Sequence, residues 1–251
     1  MSVLVTGGCG FVGINVAEEL IARGNRVVLF DRIGLPSAAD RLLRERDPRL
    51  AVVIGDVRDL PLLKAVFREH GVQRVIHTAV ITAGATREAR EPNEIIDVNL
   101  HGTVNILEAA SSVGCERVIY VGSGQAYGAT HEERVSLRED ISPSRPEEVY
   151  GITKFAAEQI ALRLGALWKI SVISVRLGSV YATNVTVLGA GSISVIAPLC
   201  VVAGSCSTIA MLLEERGRAF LESQQVQWIG VGADGGVHGT AADLAPVRGT
   251  I

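Results

Sequence analysis

The sequence is poor in aromatics, poor in cysteine, and carries no surplus of either charge. Aromatics make up 4% of the 251 residues, so the core falls to Val, Ile and Leu within a 48% hydrophobic composition. With 20% charged residues the chain is a core-forming one and not a disordered one. Its 24 Lys and Arg face 27 Asp and Glu, a net charge of −3. No basic footprint exists for nucleic acid to bind. The four cysteines, Cys9, Cys115, Cys200 and Cys206, form no CxxC pair and have no histidine at metal-ligand spacing. They read as buried, reduced thiols of a cytoplasmic protein, and no metal site is expected. Met1-Ser2 leads directly into Val3-Leu4-Val5, so no secretory signal is expected. Charge is missing altogether from Leu177 to Leu213. Within that window Val195–Leu213 is apolar enough to raise the question of a membrane span. Pro198, Gly204 and Ser205–Thr208 interrupt it, and without them it is too short. A buried or subunit-facing segment is expected instead. What the chain does have is length for one α/β domain with a small appendage. It also has 27 glycines, many enough to point to tight turns and phosphate approach.

Short apolar runs alternate with helix-period segments over the first two-thirds of the sequence. Val3–Val5, Arg26–Phe30, Ala51–Ile54, Arg74–His77, Arg117–Val121 and Ile170–Val175 read as strands. Val12–Arg23, Ser37–Arg46, Leu60–His70, Asn93–Val113 and Glu147–Leu164 read as amphipathic helices. Continuous apolar strands alternating with helices imply a parallel sheet buried on both faces. Right-handed crossovers then make it a doubly wound α/β sheet. The glycine-rich tail Gly230–Gly239 reads as poorly ordered.

Three signals carry chemistry. Thr6-Gly7-Gly8-Cys9-Gly10-Phe11-Val12-Gly13 follows the first strand and opens the first helix. Its glycines supply a tight turn, close backbone approach to a pyrophosphate and close helix–strand packing, with the helix N-terminus facing the anion. Asp31 ends the second strand, 18 positions after Gly13, where a carboxylate accepts both ribose hydroxyls and repels a 2′-phosphate. That favours NAD over NADP, although Arg32 beside it is a possible phosphate partner. Tyr150-Gly151-Ile152-Thr153-Lys154 lies on a helix, so the i, i+4 spacing sets phenol and ammonium on one face. A tyrosine acting as base near neutral pH needs its pKa lowered by roughly three units, about 4 kcal/mol of phenolate stabilisation, which neighbouring cations can supply. Ser123 ends the fifth strand at the ligand-binding edge. His77, inside an apolar strand, reads as a core histidine.

These pieces resemble the short-chain dehydrogenase/reductase superfamily in its extended NAD-dependent epimerase/dehydratase branch. The match extends through Gly55-Asp56-Val57, His77-Thr78-Ala79, Asn99–Thr103, Gly122–Gly128, Glu139-Asp140, Pro143, Pro146 and Arg176–Tyr181, in order over about seven-tenths of the chain. The resemblance implies a Rossmann domain over 1–181 and a small, reduced C-terminal substrate lobe over 182–251. It implies Tyr150 as general base or acid, Lys154 holding the nicotinamide ribose, and Ser123 bonding the reacting oxygen. Cofactor contacts are implied for Gly7, Gly10, Phe11, Val12, Gly13, Asp31, Arg32, Asp56, Val57, Thr78, Ala79, Asn99, Tyr150 and Lys154. Substrate contacts are implied for Thr82, Ser123, Gly124, Gln125 and Ser179. The implied partners are NAD and a sugar, and the helices Asn93–Val113 and Glu147–Leu164 resemble a homodimer interface.

Ser179 stands where many nucleotide-sugar members have Asn, and Tyr181 leads into Ala182-Thr183-Asn184 in place of Gly-Pro. Trp228-Ile229-Gly230-Val231 faintly resembles a late motif of the substrate lobe. After Arg176 the basic residues are Arg216, Arg218 and Arg248, which suits a small sugar or sugar acid better than a diphosphate. Gln125–Gly128 and the 139–154 stretch resemble the nucleotide-sugar members. The main expectation is thus an epimerase or dehydratase; the alternatives are a simple sugar or sugar-acid dehydrogenase and a non-catalytic NAD-binding regulatory protein.

Overall fold

Six of the apolar runs form one parallel sheet. The computed structural model describes residues 1–36, 39, 43, 48–128, 144–178, 191–196, 222–223, 227–232 and 237–238. Strands β1 (Ser2–Thr6), β2 (Arg26–Asp31), β3 (Leu50–Ile54), β4 (Arg74–His77), β5 (Arg117–Ser123) and β6 (Ser171–Leu177) assemble in the order β3-β2-β1-β4-β5-β6. All their pairings are parallel, for example Val3 opposite Val27 and Ser123 opposite Leu177. This is the doubly wound order, with its switch point between β1 and β4. Neighbouring side chains serve opposite faces. Leu4, Val28 and Phe30 join one buried cluster, and Val5, Val27 and Leu29 join the other. Burial on both faces is why these strands read as unbroken apolar runs.

Helices fill the crossovers. In α1 (Phe11–Ala22), Gly13, Ala17 and Ile21 are buried. In α2 (Leu60–Glu69) the Asp59 side chain accepts from Leu62 N–H at 2.9 Å, and Arg68 sits in the last turn, both favourable to the helix dipole. The helix expected over Ser37–Arg46 lies largely outside the described residues; Ala39 and Leu43 are helical and buried. The helix expected over Asn93–Val113 is joined from three pieces. After α3 (Ala85–Arg90) come α4 (Pro92–Ile96), a π-turn (Asp97–His101) and α5 (Gly102–Ser112). A π-turn shifts the hydrogen-bond ladder by one residue, and such turns often occur at functional sites; here it contains the buried Asn99. α3 buries none of its residues, so no apolar stripe announced it.

The longest helix, α6 (Val149–Trp168), ends at Lys169 in the left-handed region with φ 58°. It connects β5 to β6 and packs on both.

The chain divides into two units, Met1–Gly178 and Ser179–Ile251. In the second, β7 (Gly191–Ile196), β8 (Gln227–Gly232) and β9 (Val237–His238) form an antiparallel sheet in that order. Of the stretch 230–239, residues 230–232 and 237–238 are strand, and the rest lies outside the described residues. Among the described residues no helix is long and apolar enough to cross a membrane. Of Val195–Leu213, Val195 and Ile196 belong to β7 and the rest lies outside the described residues.

The contact between α5 and the loop after β3 is tight enough to test. A Cβ at Gly102 would lie 2.5 Å from Val57 Cγ2. Gly102→Ala is expected to cost about 1–3 kcal/mol by overpacking, against about 1 kcal/mol of gained helix propensity. Urea unfolding should show net destabilisation that Val57→Ala partly relieves. Strict additivity of the two changes would place them out of contact.

Candidate active site

The glycine turn is built against the end of β4. Gly7 has φ 64°, and a Cβ there would lie 2.8 Å from Ala79 N and from Thr78 Oγ1. A Cβ at Gly13 would lie 2.5 Å from Gly7 O and 2.6 Å from Gly8 Cα. These are backbone clashes that nothing flexible relieves. Gly10, by contrast, meets only Gly7 O, at 3.2 Å, so its lack of a side chain keeps the approach to α1 open. Gly10 caps α1 with no side-chain bond, and no acidic residue stands in the first turn. The free N–H groups and positive dipole end of α1 therefore suit an anion. Phe11 and Val12 are half-buried at the start of that helix.

Asp31 is fixed beside this turn. Its Oδ2 accepts from Cys9 N–H at 3.0 Å and its Oδ1 from Ile33 N–H at 3.3 Å. A carboxylate has acceptor capacity beyond two bonds, which leaves room for vicinal hydroxyls. Arg32 is turned to acidic neighbours, Asp56 at 3.6 Å and Glu94 at 3.2 Å. Arg58 bonds Asp56 at 2.6 Å and holds that carboxyl below its ordinary range, against the raising effect of burial. Val57 is buried and packs. Thr78 donates to Thr6 O at 2.6 Å, tying the β4 end to the glycine turn.

Helix α6 is docked so that its N-terminus rises to the carboxyl edge of the sheet. A Cβ at Gly151 would lie 3.0 Å from Gln125 O, and one at Gly165 2.4 Å from Val172 Cγ2. The helix therefore runs antiparallel to β5, about 21 Å of helix spanning about 23 Å of strand. Tyr120 donates its hydroxyl to Lys154 O at 3.1 Å, and Lys154 Nζ donates to Val121 O. Nζ also lies 4.4 Å from the Tyr120 ring centroid, a cation–π contact. Lys154 is 4% exposed, and burial pulls it down to about 7, with Glu158 opposing. Tyr150, one turn earlier, is half-buried, and its N–H donates to Glu88 Oε1 at 3.1 Å. Ser123 closes β5 with Oγ accepting from Gln125 N–H at 3.2 Å. Ser123 and Lys154 thus share one sheet edge, with Tyr150 a turn above Lys154.

Asn99 and His77 lock the neighbouring parts. Asn99 Oδ1 accepts from Ile81 N–H at 2.8 Å, while Nδ2 donates to Ile81 O at 3.2 Å and to Thr153 Oγ1 at 3.0 Å. Its amide is engaged within the protein, so it positions α6 on the segment after β4. Thr103 Oγ1 donates to Asn99 O at 2.7 Å, so it accepts from His77 Nε2–H at 3.0 Å, and His77 Nδ1 accepts from Thr6 Oγ1 at 2.6 Å. His77 is neutral and structural, and burial lowers its pKa to about 3.

Of the residues singled out in the sequence, the structure gathers Gly7, Gly10, Gly13, Asp31, Thr78 and Ala79 around the glycine turn. It gathers Ser123, Gly124, Gln125, Tyr150 and Lys154 around the β5 edge. Thr82 is exposed, and Ser179 lies outside the described residues. Sequence reasoning missed Tyr120, Thr153 and Glu158. Glu158 had a signal, lying one further helical turn beyond Lys154 on the same face. A surface cavity of about 540 Å³, lined by residues including Phe67, Arg68 and Glu116, lies at the opposite, amino-terminal edge of the sheet and holds none of these groups.

Residues 3–197 match the NAD dependent epimerase/dehydratase family. The chain is 32% identical over 162 residues to a UDP-glucose 4-epimerase of Neisseria gonorrhoeae, covering 64% of this chain and 47% of that protein. It is 32% identical over 180 residues to UDP-glucose 4-epimerase 2 of Arabidopsis thaliana, covering 68% and 50%. The chain spans about half the length of the curated relatives it matches. Among solved structures, the UDP-glucose 4-epimerase of Thermus thermophilus in complex with NAD superposes with a TM-score of 0.61 at 31% identity, covering 70% of this chain and 54% of that one. The Bifidobacterium longum enzyme in complex with NAD+ and UDP gives 0.62 at 27%, covering 70% and 52%.

The buried histidine makes stability depend on pH. Its folded pKa lies below the unfolded value of 6.5, so between the two the unfolded chain binds the extra proton. Stability should fall as pH drops from about 6.5 towards 3, by about 1.4 kcal/mol per unit from this group. Urea midpoints at successive pH values should show that slope, and His77→Gln should flatten it. An equal slope in both proteins would assign the effect elsewhere.

Proposed function

The chain belongs to the NAD dependent epimerase/dehydratase family, and from that premise we propose that it is an NAD-dependent enzyme of sugars or nucleotide sugars, of the epimerase or dehydratase type. The observation that carries this reading is the docking of α6: Lys154 is buried on Val121 O and the Tyr120 ring, two residues before Ser123. The glycine turn fits the pyrophosphate of a dinucleotide, since Gly7 and Gly13 have no room for a methyl group and α1 begins uncapped. When bound, NAD supplies a hydride acceptor at its nicotinamide.

Each residue then has a task. Asp31 accepts the adenosine ribose hydroxyls, and its charge selects against a 2′-phosphate. Lys154 holds the second ribose, and its positive charge favours the Tyr150 phenolate. Tyr150 takes the proton of the sugar hydroxyl being oxidised and returns it later. Ser123 donates to the same oxygen and holds it in line. Thr82, Gly124 and Gln125 face the sugar. Cys9 and Cys115 are buried, which supports the reading of a cytoplasmic protein. Ile152 and Leu162 are 46% and 41% exposed on α6, which supports a homodimer formed through α5 and α6.

A second reading, a net dehydrogenase of a free sugar or sugar acid, is favoured by the engagement of Arg176. Its guanidinium is paired with Glu158 at 2.7 Å and its side chain is buried, so a diphosphate would have to compete with Glu158 for it. Accumulation of reduced nicotinamide during turnover selects this reading; redox-neutral conversion selects the first. Tight NAD binding without turnover across UDP-sugars, free sugars and sugar acids would leave a non-catalytic regulator.

Tyr150→Phe should reduce turnover by about 10²–10⁴-fold with NAD affinity retained. Activity within a few-fold of the parent would remove Tyr150 as the base. Asp31→Ala should weaken NAD by about 10–100-fold, as loss of hydrogen bonds to a charged group implies. NADP should lose far less in the same calorimetric titration, and equal losses for both cofactors would take ribose recognition away from Asp31.

A further inference from the structure

We infer that the buried Glu158–Arg176 pair is a positioning device for Lys154, fixing its depth on β5 and setting a carboxylate one helical turn from its ammonium. The inference goes beyond the reading above and relies on it only for the catalytic consequence. Glu158 stands one helical turn past Lys154 on the buried face of α6, and both are nearly inaccessible, at 5% and 4%. Glu158 Oε2 accepts from Arg176 Nε at 2.9 Å and from Ser174 Oγ at 3.0 Å, and Oε1 accepts from Arg176 Nη2 at 2.7 Å. These bonds pin α6 to β6. Arg176 in turn lies 4.6 Å from the Tyr127 ring centroid and 5.6 Å from that of Phe155. Tyr127 ends the 3-10 turn (Gly124–Tyr127) that Ser123 caps. One ion pair thereby touches the helix of Tyr150 and Lys154 and the turn that begins at Ser123. Gly122 makes the space: a Cβ there would come within 3.3 Å of Glu158 Oε2.

The electrostatics point the same way. Around Lys154, β4 presents His77, which is neutral, and β5 presents Tyr120, whose phenol burial pushes up and keeps neutral. The Tyr127 phenol lies on the 3-10 turn, and β6 presents the cation Arg176. In the π-turn, Asp97, half-buried, and His101, exposed, bond each other at 3.1 Å. Glu88 of α3 sits on the Tyr150 N–H. Glu158 is the one buried carboxylate among the described residues. Burial favours neutral Lys154, and Glu158 opposes this. Burial likewise favours protonated Glu158, and the hydrogen bonds from Arg176 and Ser174 outweigh it. Arg176 therefore keeps Glu158 ionised, and Glu158 raises the proton affinity of Lys154 against the effect of burial.

The chain has three lysines, Lys64, Lys154 and Lys169, so Lys154 can be followed directly. Protein labelled with ¹³C at lysine Cε is titrated by NMR, with Lys64→Arg and Lys169→Arg used for assignment. Glu158→Gln and the double variant Glu158→Gln/Arg176→Met should each lower the Lys154 midpoint by at least one pH unit, a tenfold loss of proton affinity. The single variant also leaves Arg176 uncompensated, which repels Lys154 and acts in the same direction. The double variant removes both members of the pair together and should stay folded, so it carries the test if the single variant unfolds. With a UDP-sugar and NAD, the alkaline limb of kcat should move down in parallel, with sugar KM changed less than kcat. A Lys154 midpoint within 0.3 unit of the parent in the folded double variant overturns the inference. So does unfolding of the double variant, which assigns the pair to stability alone. A shifted midpoint in a protein that turns over no sugar upholds the positioning role and removes the enzymatic reading.

Discussion

A helix that carries polar side chains into a sheet must find a partner for each of them, and α6 is built around that constraint. An unpaired buried amine or carboxylate costs several kcal/mol, so the helix has few ways to sit. Ala157, Ala161 and Gly165 on its buried face let the backbone approach β5 and β6 closely. The long side chains between them reach past the backbone. Lys154 meets Val121 O, Thr153 meets Asn99, and Glu158 meets Arg176 and Ser174. Small residues give proximity, and polar residues give register. Sliding the helix along the sheet would break all of these bonds together, which is how a buried polar network specifies one arrangement.

The other half of the site answers to a steric constraint. At the switch point β1 and β4 are hydrogen-bonded neighbours, and the chain leaving β1 must turn without meeting the chain leaving β4. Gly7 accomplishes the turn in the left-handed region with Thr78 and Ala79 at its back. Thr6 links the two sides: its hydroxyl bonds His77, and its carbonyl accepts from Thr78 N–H and Oγ1. His77 continues the link through Thr103 to the π-turn containing Asn99, and Asn99 reaches Thr153 on α6. A continuous buried hydrogen-bond path thus runs from the glycine turn to the helix of Tyr150 and Lys154. The two walls of the crevice are held by one network and not by two independent ones.

What could be read in the sequence follows from where the signals are local. Parallel strands buried on both faces appear as unbroken apolar runs, so all six strands of the main sheet were visible to within two residues at their ends. The glycine turn and the Tyr150–Lys154 spacing were visible because each chemistry requires a fixed interval along one element. The pieces that escaped depend on contacts between elements. α3 buries nothing and so has no period. The π-turn changes one hydrogen-bond step inside an otherwise helical stretch. The antiparallel strands β7 and β8 lie far apart in sequence, across residues with no alternation to mark them. Arg176 was visible as part of a motif, but its pairing with Glu158 required the sheet register that sets Arg176 opposite Gly122.

That pairing also bears on the substrate. Among basic residues near the sheet edge, Arg176 stands nearest in sequence to the charge-free stretch. Here its Nε and Nη2 are taken by Glu158, and its faces by Tyr127 and Phe155. Drawing it out to an anionic ligand would leave Glu158 buried and unpaired, a cost of about 3–5 kcal/mol, comparable to the gain from one bidentate phosphate contact. A ligand in the crevice therefore meets Arg176 as part of the wall. The β5 edge itself carries the hydroxyls of Ser123 and, a turn above Lys154, Tyr150.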